Sequence, residues 1–192
     1  MEKRILFLGP VGSGKTCAIQ AISDIEPVNT DVMAFEDEAQ LKDTTTVAMD
    51  LGVLELDEVD RVVLYGAPGQ DRFNFMQDIL LDQCEGVVLL LNHAADNPLE
   101  DLNQYWHNLH ERRSVTVPLV IGVTHTDWMP ERPMSIYNER LLGLRADTRK
   151  VVPMPPVLAM DARRHQDVRA ALVTLVAVLE MAQRYPNTGI EA

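Results

Sequence analysis

A glycine-rich segment near the beginning of the chain constrains the fold more strongly than any other feature of the sequence. The segment Gly9-Pro10-Val11-Gly12-Ser13-Gly14-Lys15-Thr16 fits the pattern G-x-x-x-x-G-K-S/T. It lies between a short apolar run, Ile5 to Leu8, and a helical pattern that begins near Lys15. A strand, a glycine-rich turn and a helix in this order are the context in which the pattern forms a phosphate-binding loop.

Each part of this loop has a chemical role. Glycines let the backbone curl so that successive amides point inward at phosphate oxygens, and the helix adds the positive end of its dipole. Lys15 is expected to reach the β- and γ-phosphates of a nucleotide, and the Thr16 hydroxyl to bind Mg²⁺. The candidate nucleotide-binding residues of the loop are Gly9, Gly12, Ser13, Gly14, Lys15, Thr16 and Cys17.

The loop by itself leaves the base and the reaction open. Kinases, ATPases and GTPases all use a loop of this kind. A glycine-rich turn that binds no ligand is the structural alternative. The thiol of Cys17, which directly follows the loop, is expected to pack inward behind it.

Short apolar runs alternate with helical patterns along the rest of the chain. Such runs are typical of parallel strands whose sheet is covered by helices on both faces. The later runs are Val87 to Leu91, Val117 to Val123 and Val157 to Met160. Helical spacing is clearest for two sets of residues, Leu99, Leu102, Trp106, Leu109 and Val168, Leu172, Leu175, Leu179.

Residues 46–53 differ, because apolar and polar side chains alternate there with the period of a half-buried edge strand. A bulge is expected at Val53-Leu54, and the short connection to residues 61–65 requires these two strands to be antiparallel. The sequence therefore predicts an α/β fold with a six-stranded, mostly parallel sheet, one antiparallel edge strand and about five helices. Residues 1–184 are expected to form one domain, followed by a tail over residues 185–192.

The charge balance excludes some partners. The chain has 29 acidic and 17 basic residues and a formal net charge of −12. A protein this anionic is repelled by phosphate backbones, so we expect no binding to nucleic acid. No segment approaches the roughly 20 apolar residues of a transmembrane helix. Cys17 and Cys84 are too few and too far apart for a disulfide framework, so the sequence predicts a cytoplasmic protein without a transmembrane segment.

Three further segments occur in an order and spacing that resemble the Ras-like small GTPases. They are Thr44 to Asp50, Gly66-Ala67-Pro68-Gly69-Gln70 and Thr124-His125-Thr126-Asp127. With the phosphate loop, the combination is most similar to the bacterial MglA-type and conservon-type GTP-binding proteins. This resemblance implies a Ras-like P-loop fold, a GDP/GTP switch that binds Mg²⁺, slow GTP hydrolysis and a roadblock-type regulator as activating partner.

The resemblance also implies roles for the residues of the two switch segments. Thr46 is expected to sense the γ-phosphate through Mg²⁺, with Thr45 as the alternative. The amide of Gly69 is expected to contact the γ-phosphate, and Gln70 to orient the attacking water. The catalytic candidates are therefore Gln70, Lys15 and Gly69, and the metal candidates are Thr16 and Thr46.

Two residues depart from the family pattern. Gly66 stands where most Ras-like proteins place an aspartate near the metal, so Mg²⁺ would be held by phosphates, Thr16, Thr46 and waters. Asp50 is a possible substitute, but a solvated aspartate on an edge strand is the expectation. Val11 crowds the space that Gln70 and an arginine from a partner would share, which predicts slow hydrolysis.

Asp127 is the best indication of the base. Its carboxylate can accept hydrogen bonds from both N1–H and the exocyclic amine of guanine, whereas adenine offers no matching pair of donors. Thr124 and His125 replace the asparagine and lysine of the family pattern; Thr124 is expected to bond toward the phosphate loop and His125 to stack over the base. The resemblance also implies that the backbone amide near Ala162 contacts the guanine carbonyl. The structural alternative is that Asp127 caps a turn.

Other functions remain open at this point. A pseudo-GTPase, meaning a nucleotide-stabilised binding module without turnover, would explain Gly66 and Val11 equally well. A P-loop nucleotide kinase or ATPase is the third alternative, although the sequence has no arginine-rich lid insertion and Asp127 favours guanine.

Overall fold

The computed structural model describes residues 2–26, 28–32, 47–56, 60–68, 74–111, 117–147 and 152–184. Strands and helices alternate through most of these ranges, as the alternation of apolar runs and helical patterns predicts. In chain order they are β1 (Glu2–Leu8), α1 (Lys15–Ile22), β2 (Val28–Val32), β3 (Val47–Glu55), β4 (Arg61–Gly66), α2 (Asn74–Gln83), β5 (Gly86–Asn92), α3 (Pro98–Glu111), β6 (Leu119–Thr124), α4 (Ser135–Asp147), β7 (Val157–Ala159) and α5 (His165–Arg184).

The strands form one sheet in the order β2-β3-β4-β1-β5-β6-β7. Strand β1 pairs in parallel with both β4 and β5, and the parallel pairing continues through β6 to β7. Strand β3 is antiparallel to β4, as the short connection between them requires. The predicted α/β class, the mostly parallel sheet and the five helices are confirmed, whereas the sheet has seven strands in the described residues rather than six.

The additional strand, β2, lies at the edge of the sheet, next to β3, which the sequence predicts to form that edge. Strand β2 pairs antiparallel with β3, from Val28 opposite Leu51 to Val32 opposite Val47. The prediction that residues 46–53 form the edge of the sheet is therefore wrong. The expected bulge at Val53-Leu54 is wrong too, because the register between β3 and β4 is unbroken from Asp50 opposite Gly66 to Glu55 opposite Arg61.

The central strands are buried on both faces, which explains their continuous apolar sequences. Alternate residues of β1 enter different cores: Leu6 and Leu8 pack with α2, α3 and α4, whereas Ile5 and Phe7 pack with α1 and α5. This division follows from the two-residue period of a strand. The last helix shows the corresponding helical period, because its four predicted apolar residues, Val168, Leu172, Leu175 and Leu179, are all buried.

The parallel strands determine where a site can form. Their carboxyl ends meet at one edge of the sheet, where open α/β sheets bind ligands. The segments that leave β1, β5, β6 and β7 at this edge begin at Gly9, His93, His125 and Met160. None of the helices given above has an apolar stretch of the length needed to traverse a lipid bilayer.

Candidate functional site

The glycine-rich segment forms a tight turn between β1 and α1. Gly9, Gly12 and Gly14 all have positive φ angles, of 141°, 76° and 94°. A side chain at Gly9 would overlap the backbone carbonyl of Leu90, and one at Gly14 would come within 2.9 Å of the Ala162 Cβ. Because α1 begins at Lys15, the amides at the start of this helix precede its first internal hydrogen bonds and are available to an anion.

Lys15 lies over this turn and is 8% exposed. Its Nζ donates to the carbonyls of Gly9 and Pro10, both at 2.7 Å, and lies 3.5 Å from the Ser13 hydroxyl. Burial lowers the pKa of Lys15 to about 8, while the negative charge of Asp50 acts in the opposite direction. The ammonium group is thus held at the phosphate loop by backbone carbonyls.

Thr16 directs its hydroxyl at a carboxylate. Thr16 Oγ1 donates to Asp50 Oδ2 at 2.6 Å, so the expectation of a solvated Asp50 on an edge strand is wrong. Asp50 is the registered neighbour of Gly66, and a Cβ at Gly66 would lie 2.9 Å from the Asp50 Cβ and 3.1 Å from its Oδ2. The absence of a side chain at Gly66 therefore leaves room for the Asp50 carboxylate to approach the phosphate loop from the adjacent strand.

This pair fits the chemistry of Mg²⁺, which prefers oxygen ligands and retains several waters. A hydroxyl and a carboxylate lie together beside the phosphate loop, although the carboxylate of the family's aspartate position is absent at Gly66. In the described part of the chain no group of three or more His, Cys, Asp or Glu residues is placed to hold a metal ion. Any Mg²⁺ here would depend on the ligand's phosphates and on water for most of its coordination.

Thr124, at the end of β6, connects the phosphate loop to the next part of the site. Its Oγ1 lies 3.0 Å from the Ser13 carbonyl and 3.2 Å from the Leu91 carbonyl, in the predicted direction toward the loop. It also lies 2.8 Å from His125 Nδ1. A hydroxyl has one proton to donate, so it donates to one carbonyl and accepts from His125 when Nδ1 carries a proton.

A cavity of about 390 Å³ opens beside this connection. It is lined by the predicted base-side residues together with Trp128 and the loop after β7: Gly14, Cys17, Thr124, His125, Thr126, Asp127, Trp128, Ala159, Met160, Asp161, Ala162, Arg163, Arg164 and Asp167. Cys17 is exposed here rather than packed inward, so its predicted packing is wrong, while its place among the nucleotide-site candidates agrees with the lining of the cavity.

Asp127 and its neighbours form one side of this cavity. The Asp127 carboxylate is exposed and makes no hydrogen bond or ion pair with another described residue, which argues against a turn-capping role within these ranges. His125 has a left-handed backbone with φ of 57°, and its ring meets that of Trp128 edge-on at 5.0 Å. Trp128 is 66% exposed, so its indole is available to a ligand.

The loop after β7 supplies the other side. Ala162 is buried against Gly14, as the close approach of their Cβ positions shows. The Arg163 guanidinium forms two hydrogen bonds to the Asp161 carboxylate, at 2.9 and 2.8 Å, and these hold the pKa of Asp161 at about 2. The Asp161 amide in turn donates to Asp167 Oδ2 at 2.9 Å, which fixes the loop to the start of α5.

The structure brings together most of the predicted residues but not all of them. Thr124, His125, Asp127 and Ala162 line one cavity together with Gly14 and Cys17, and the other residues of the phosphate loop lie beside it, joined to it through Gly14 and through the contact of Thr124 with Ser13. Thr46, its alternative Thr45, Gly69 and Gln70 lie outside the described residues. Sequence reasoning missed the contact of Asp50 with Thr16 and gave Arg163 no role; the glycine at position 66, opposite an aspartate in a paired strand, was the available signal for the first.

Comparisons with known proteins agree with this architecture. The structure of the Arl6 BBS3 small GTPase from Trypanosoma brucei, with the bound nucleotide analogue GppNp, matches with a TM-score of 0.67 at 14% sequence identity. The match covers 94% of this chain and 99% of that chain. The chain therefore has the fold of a Ras-like small GTPase.

Sequence comparisons give the family. A search of curated proteins found no match. A family profile with the description "Conserved hypothetical ATP binding protein" matches residues 26–182, a span that runs from the segment before β2 into α5. Because this span exceeds half of the chain, the protein belongs to that family of conserved hypothetical ATP binding proteins.

Proposed function

We propose that the protein is a small GTPase that binds GDP and GTP and acts as a molecular switch with slow GTP hydrolysis. One observation carries the proposal: the Asp127 carboxylate is exposed at a cavity that is directly continuous with the phosphate loop through Gly14. A purine in this cavity would present its polar edge to Asp127. Guanine has two donors for that carboxylate, at N1 and at the exocyclic amine, and adenine has none at N1.

At the phosphate end of the proposed site, main-chain amides and one cation, the Lys15 ammonium group, would bind the phosphates. The left-handed glycines curl the loop, and α1 directs its first amides toward it. On nucleotide binding, the Lys15 ammonium group would donate to phosphate oxygens, either in place of the Gly9 and Pro10 carbonyls or in addition to them, since it has three protons to donate. Thr16, with Asp50 behind it and Thr46 from the first switch segment, would hold Mg²⁺, which supplies charge neutralisation at the phosphates.

Hydrolysis is assigned to the segment after β4. Gly69 would contact the γ-phosphate and Gln70 would orient the water that attacks it. Val11, at the loop tip, is 68% exposed, so its side chain would be free to crowd the space that Gln70 and an incoming arginine are proposed to share. We therefore propose an unaided rate on the order of 10⁻⁴ to 10⁻² s⁻¹, accelerated by a roadblock-type regulator; a rate that stays at zero with the regulator present would identify a pseudo-GTPase.

ATP is the second candidate ligand, because the description of the family names it. The described cavity argues for guanine, since an adenine would offer the Asp127 carboxylate only its exocyclic amine and would place the N1 lone pair, an acceptor, where guanine has its second donor. The phosphate end of the site would serve either nucleotide equally. The two proposals therefore differ only at the base.

The base is identified by releasing and measuring the bound nucleotide of the purified protein, and by titrating GTP, ATP and XTP in competition. GTP is expected to bind at least about 10²-fold more tightly than ATP, as expected for a site that pairs a carboxylate with base donors. Asp127→Asn is expected to shift the preference from guanine toward xanthine nucleotides. An unchanged preference in this variant would show that Asp127 does not read the base, and tighter ATP binding by the unsubstituted protein would favour the second candidate.

The metal part of the proposal is tested at Asp50. Asp50→Asn is expected to remove most of the gain in GTP affinity that Mg²⁺ produces over a chelator, because the amide carries no charge and accepts the Thr16 hydroxyl less strongly. Glu55→Gln is the matched control, because it removes one charge from the same strand at an exposed position five residues away. Equal Mg²⁺ dependence in the two variants would contradict a role of Asp50 in holding the metal.

A further inference from the structure

Two neighbouring strand ends hold two successive carbonyls of the phosphate loop. Asn92 closes β5 and Thr124 closes β6, and the two residues are registered partners in the sheet. Asn92 Nδ2 donates to the Gly12 carbonyl at 3.4 Å, and Thr124 Oγ1 lies 3.0 Å from the Ser13 carbonyl. The tip of the loop is therefore attached to the sheet by side chains on adjacent strands.

The orientation of these carbonyls determines the orientation of amides. A peptide unit is planar and trans, so its C=O and the following N–H point in opposite directions. Holding the Gly12 and Ser13 carbonyls toward the strand ends turns the amides of Ser13 and Gly14 the other way. The Ser13 amide donates to the Pro10 carbonyl at 3.3 Å, so the peptide unit held by Asn92 closes the turn from Pro10 to Ser13 and does not itself present an amide to an anion. This turn directly precedes Gly14, Lys15 and Thr16, whose amides lie at the start of α1.

The Asn92 side chain is itself fixed. Its Oδ1 accepts a hydrogen bond from the Ala94 amide at 2.9 Å, and this bond identifies which end of the side-chain amide is oxygen. The nitrogen must then face Gly12. Both ends of the Asn92 amide are used, so the side chain has one favourable orientation.

A buried network supports the turn that follows Asn92. His93 is 1% exposed, and its Nε2 lies 3.0 Å from the Arg132 carbonyl, which can only accept. Nε2 therefore carries the proton, and Nδ1 accepts from the Tyr137 hydroxyl at 2.8 Å. Burial raises the pKa of Tyr137 to about 12, which keeps that donor protonated.

The Arg132 guanidinium completes the support from the opposite side. It donates to the carbonyls of His93 and Ala95, so the turn is held by the segment that precedes α4. Hydrogen bonds from Tyr137 and Arg132 thus hold His93 and the turn that directly follows Asn92, and the Ala94 amide of that turn holds the Asn92 side chain. None of these residues belongs to the motifs that predicted the nucleotide site.

We propose that Asn92 is a positioning residue for the phosphate loop: through the Gly12 carbonyl it fixes the turn from Pro10 to Ser13, and with it the place of the amides that follow at the start of α1 and bind phosphate. The inference rests on the proposed function of the loop as a phosphate site. It adds to that proposal a residue outside the loop that sets how tightly phosphates bind, with no role at the base.

Asn92→Ser is the test variant, because a serine hydroxyl can still accept from the Ala94 amide but is too short to reach Gly12. The ligands are inorganic tripolyphosphate, which has no base, and guanosine, which has no phosphate. Asn92→Ser is expected to weaken tripolyphosphate binding about three- to tenfold, the effect of one hydrogen bond, and to leave guanosine binding unchanged. Asn103→Ser is the control, because Asn103 accepts from Arg140 on the surface, far from the loop.

Three results would overturn the inference. Tripolyphosphate affinity equal to that of the Asn103→Ser variant would show that the Gly12 contact does not position the amides. Equal losses for tripolyphosphate and guanosine, together with a lower melting temperature, would show a structural role only. Failure of the unsubstituted protein to bind tripolyphosphate would remove the phosphate site itself, whereas a wrong base assignment would leave the tripolyphosphate result intact.

Discussion

The ammonium group of Lys15 is buried, and burial disfavours its charged form. The group is 8% exposed, its pKa is lowered to about 8 by burial, and the Asp50 carboxylate only partly offsets that effect. The folded-state pKa lies below the ordinary value of 10.5, so the ligand-free protein gains stability from this group as the pH rises from about 8 toward that value. Phosphate binding, in contrast, requires the charged form.

This opposition predicts that nucleotide affinity depends on pH. Phosphates raise the pKa of Lys15 in the complex, so affinity is expected to fall roughly five- to tenfold between pH 7.5 and 9 as the free protein loses its proton. Isothermal titration at several pH values measures this. Lys15→Arg is the control, because its guanidinium stays charged and its weaker affinity is expected to stay level; parallel profiles for the two proteins would contradict the prediction.

Individual residues were predictable from sequence where a motif fixed both their type and their place. The direction of the Thr124 hydroxyl and the sites of His125, Asp127 and Ala162 were implied by the resemblance to the family pattern, and the carboxyl ends of parallel strands bring these residues to one cavity. The contact between Asp50 and Thr16 was not predictable, because it depends on the register of an antiparallel strand and on empty space at Gly66. The roles of Thr46, Gly69 and Gln70 stay predictions.

At the scale of elements, the parallel strands were predictable because burial on both faces requires an apolar side chain at nearly every position. Strand β2 was not, since its sequence, Val28-Asn29-Thr30-Asp31-Val32, has neither an apolar run nor a clear alternation. The apparent slip at Val53-Leu54 did not produce a bulge. Gly52 lies against α1, where its Cβ would come within 2.7 Å of an Ile19 methyl, so a small residue at that position satisfies the packing without changing the register.

The turn after α1 covers the part of β3 that extends beyond β2. Strand β2 pairs with β3 only as far as Leu51 of β3. Beyond Leu51, Ser23 Oγ accepts a hydrogen bond from the Val53 amide at 3.1 Å, and the Asp24 amide donates to the Val53 carbonyl at 2.8 Å. Asp24 Oδ2 also accepts from the Glu55 amide at 2.7 Å. Two residues thus continue the hydrogen bonding along the strand edge.

Ser23→Ala is therefore expected to lower the free energy of unfolding by about 1–2 kcal/mol, because the Val53 amide loses its acceptor in a half-buried position. Urea denaturation with an unchanged m-value measures this loss. Thr174→Ala is the control, since the Thr174 hydroxyl bonds only to the Ala170 carbonyl one turn earlier in α5, and its loss is expected to stay below about 0.5 kcal/mol. A Ser23→Ala loss no larger than that of Thr174→Ala would show that the turn does not stabilise β3.

At the scale of the whole molecule, a protein with a formal net charge of −12 has to attract a polyanion. Its long-range field opposes the binding of the proposed nucleotide, so the attraction would come from groups within a few ångströms: the amides of the phosphate loop, Lys15 and the proposed Mg²⁺. These groups lie at the ends of β1 and β6 and beside β3. The proposed nucleotide would therefore contact segments from several strands of one sheet, which is covered by helices on both faces.

Because one sheet carries both hydrophobic cores, we expect residues 1–184 to unfold in a single transition and the nucleotide to stabilise all of it. At a GTP concentration 100 times the dissociation constant, linkage adds about 2.7 kcal/mol, which corresponds to a rise in melting temperature of roughly 5–11 °C for a chain of this size. Scanning calorimetry with GTP and Mg²⁺ measures the rise, and Lys15→Ala is expected to abolish it. Two transitions, of which only one moves with GTP, would contradict the single domain.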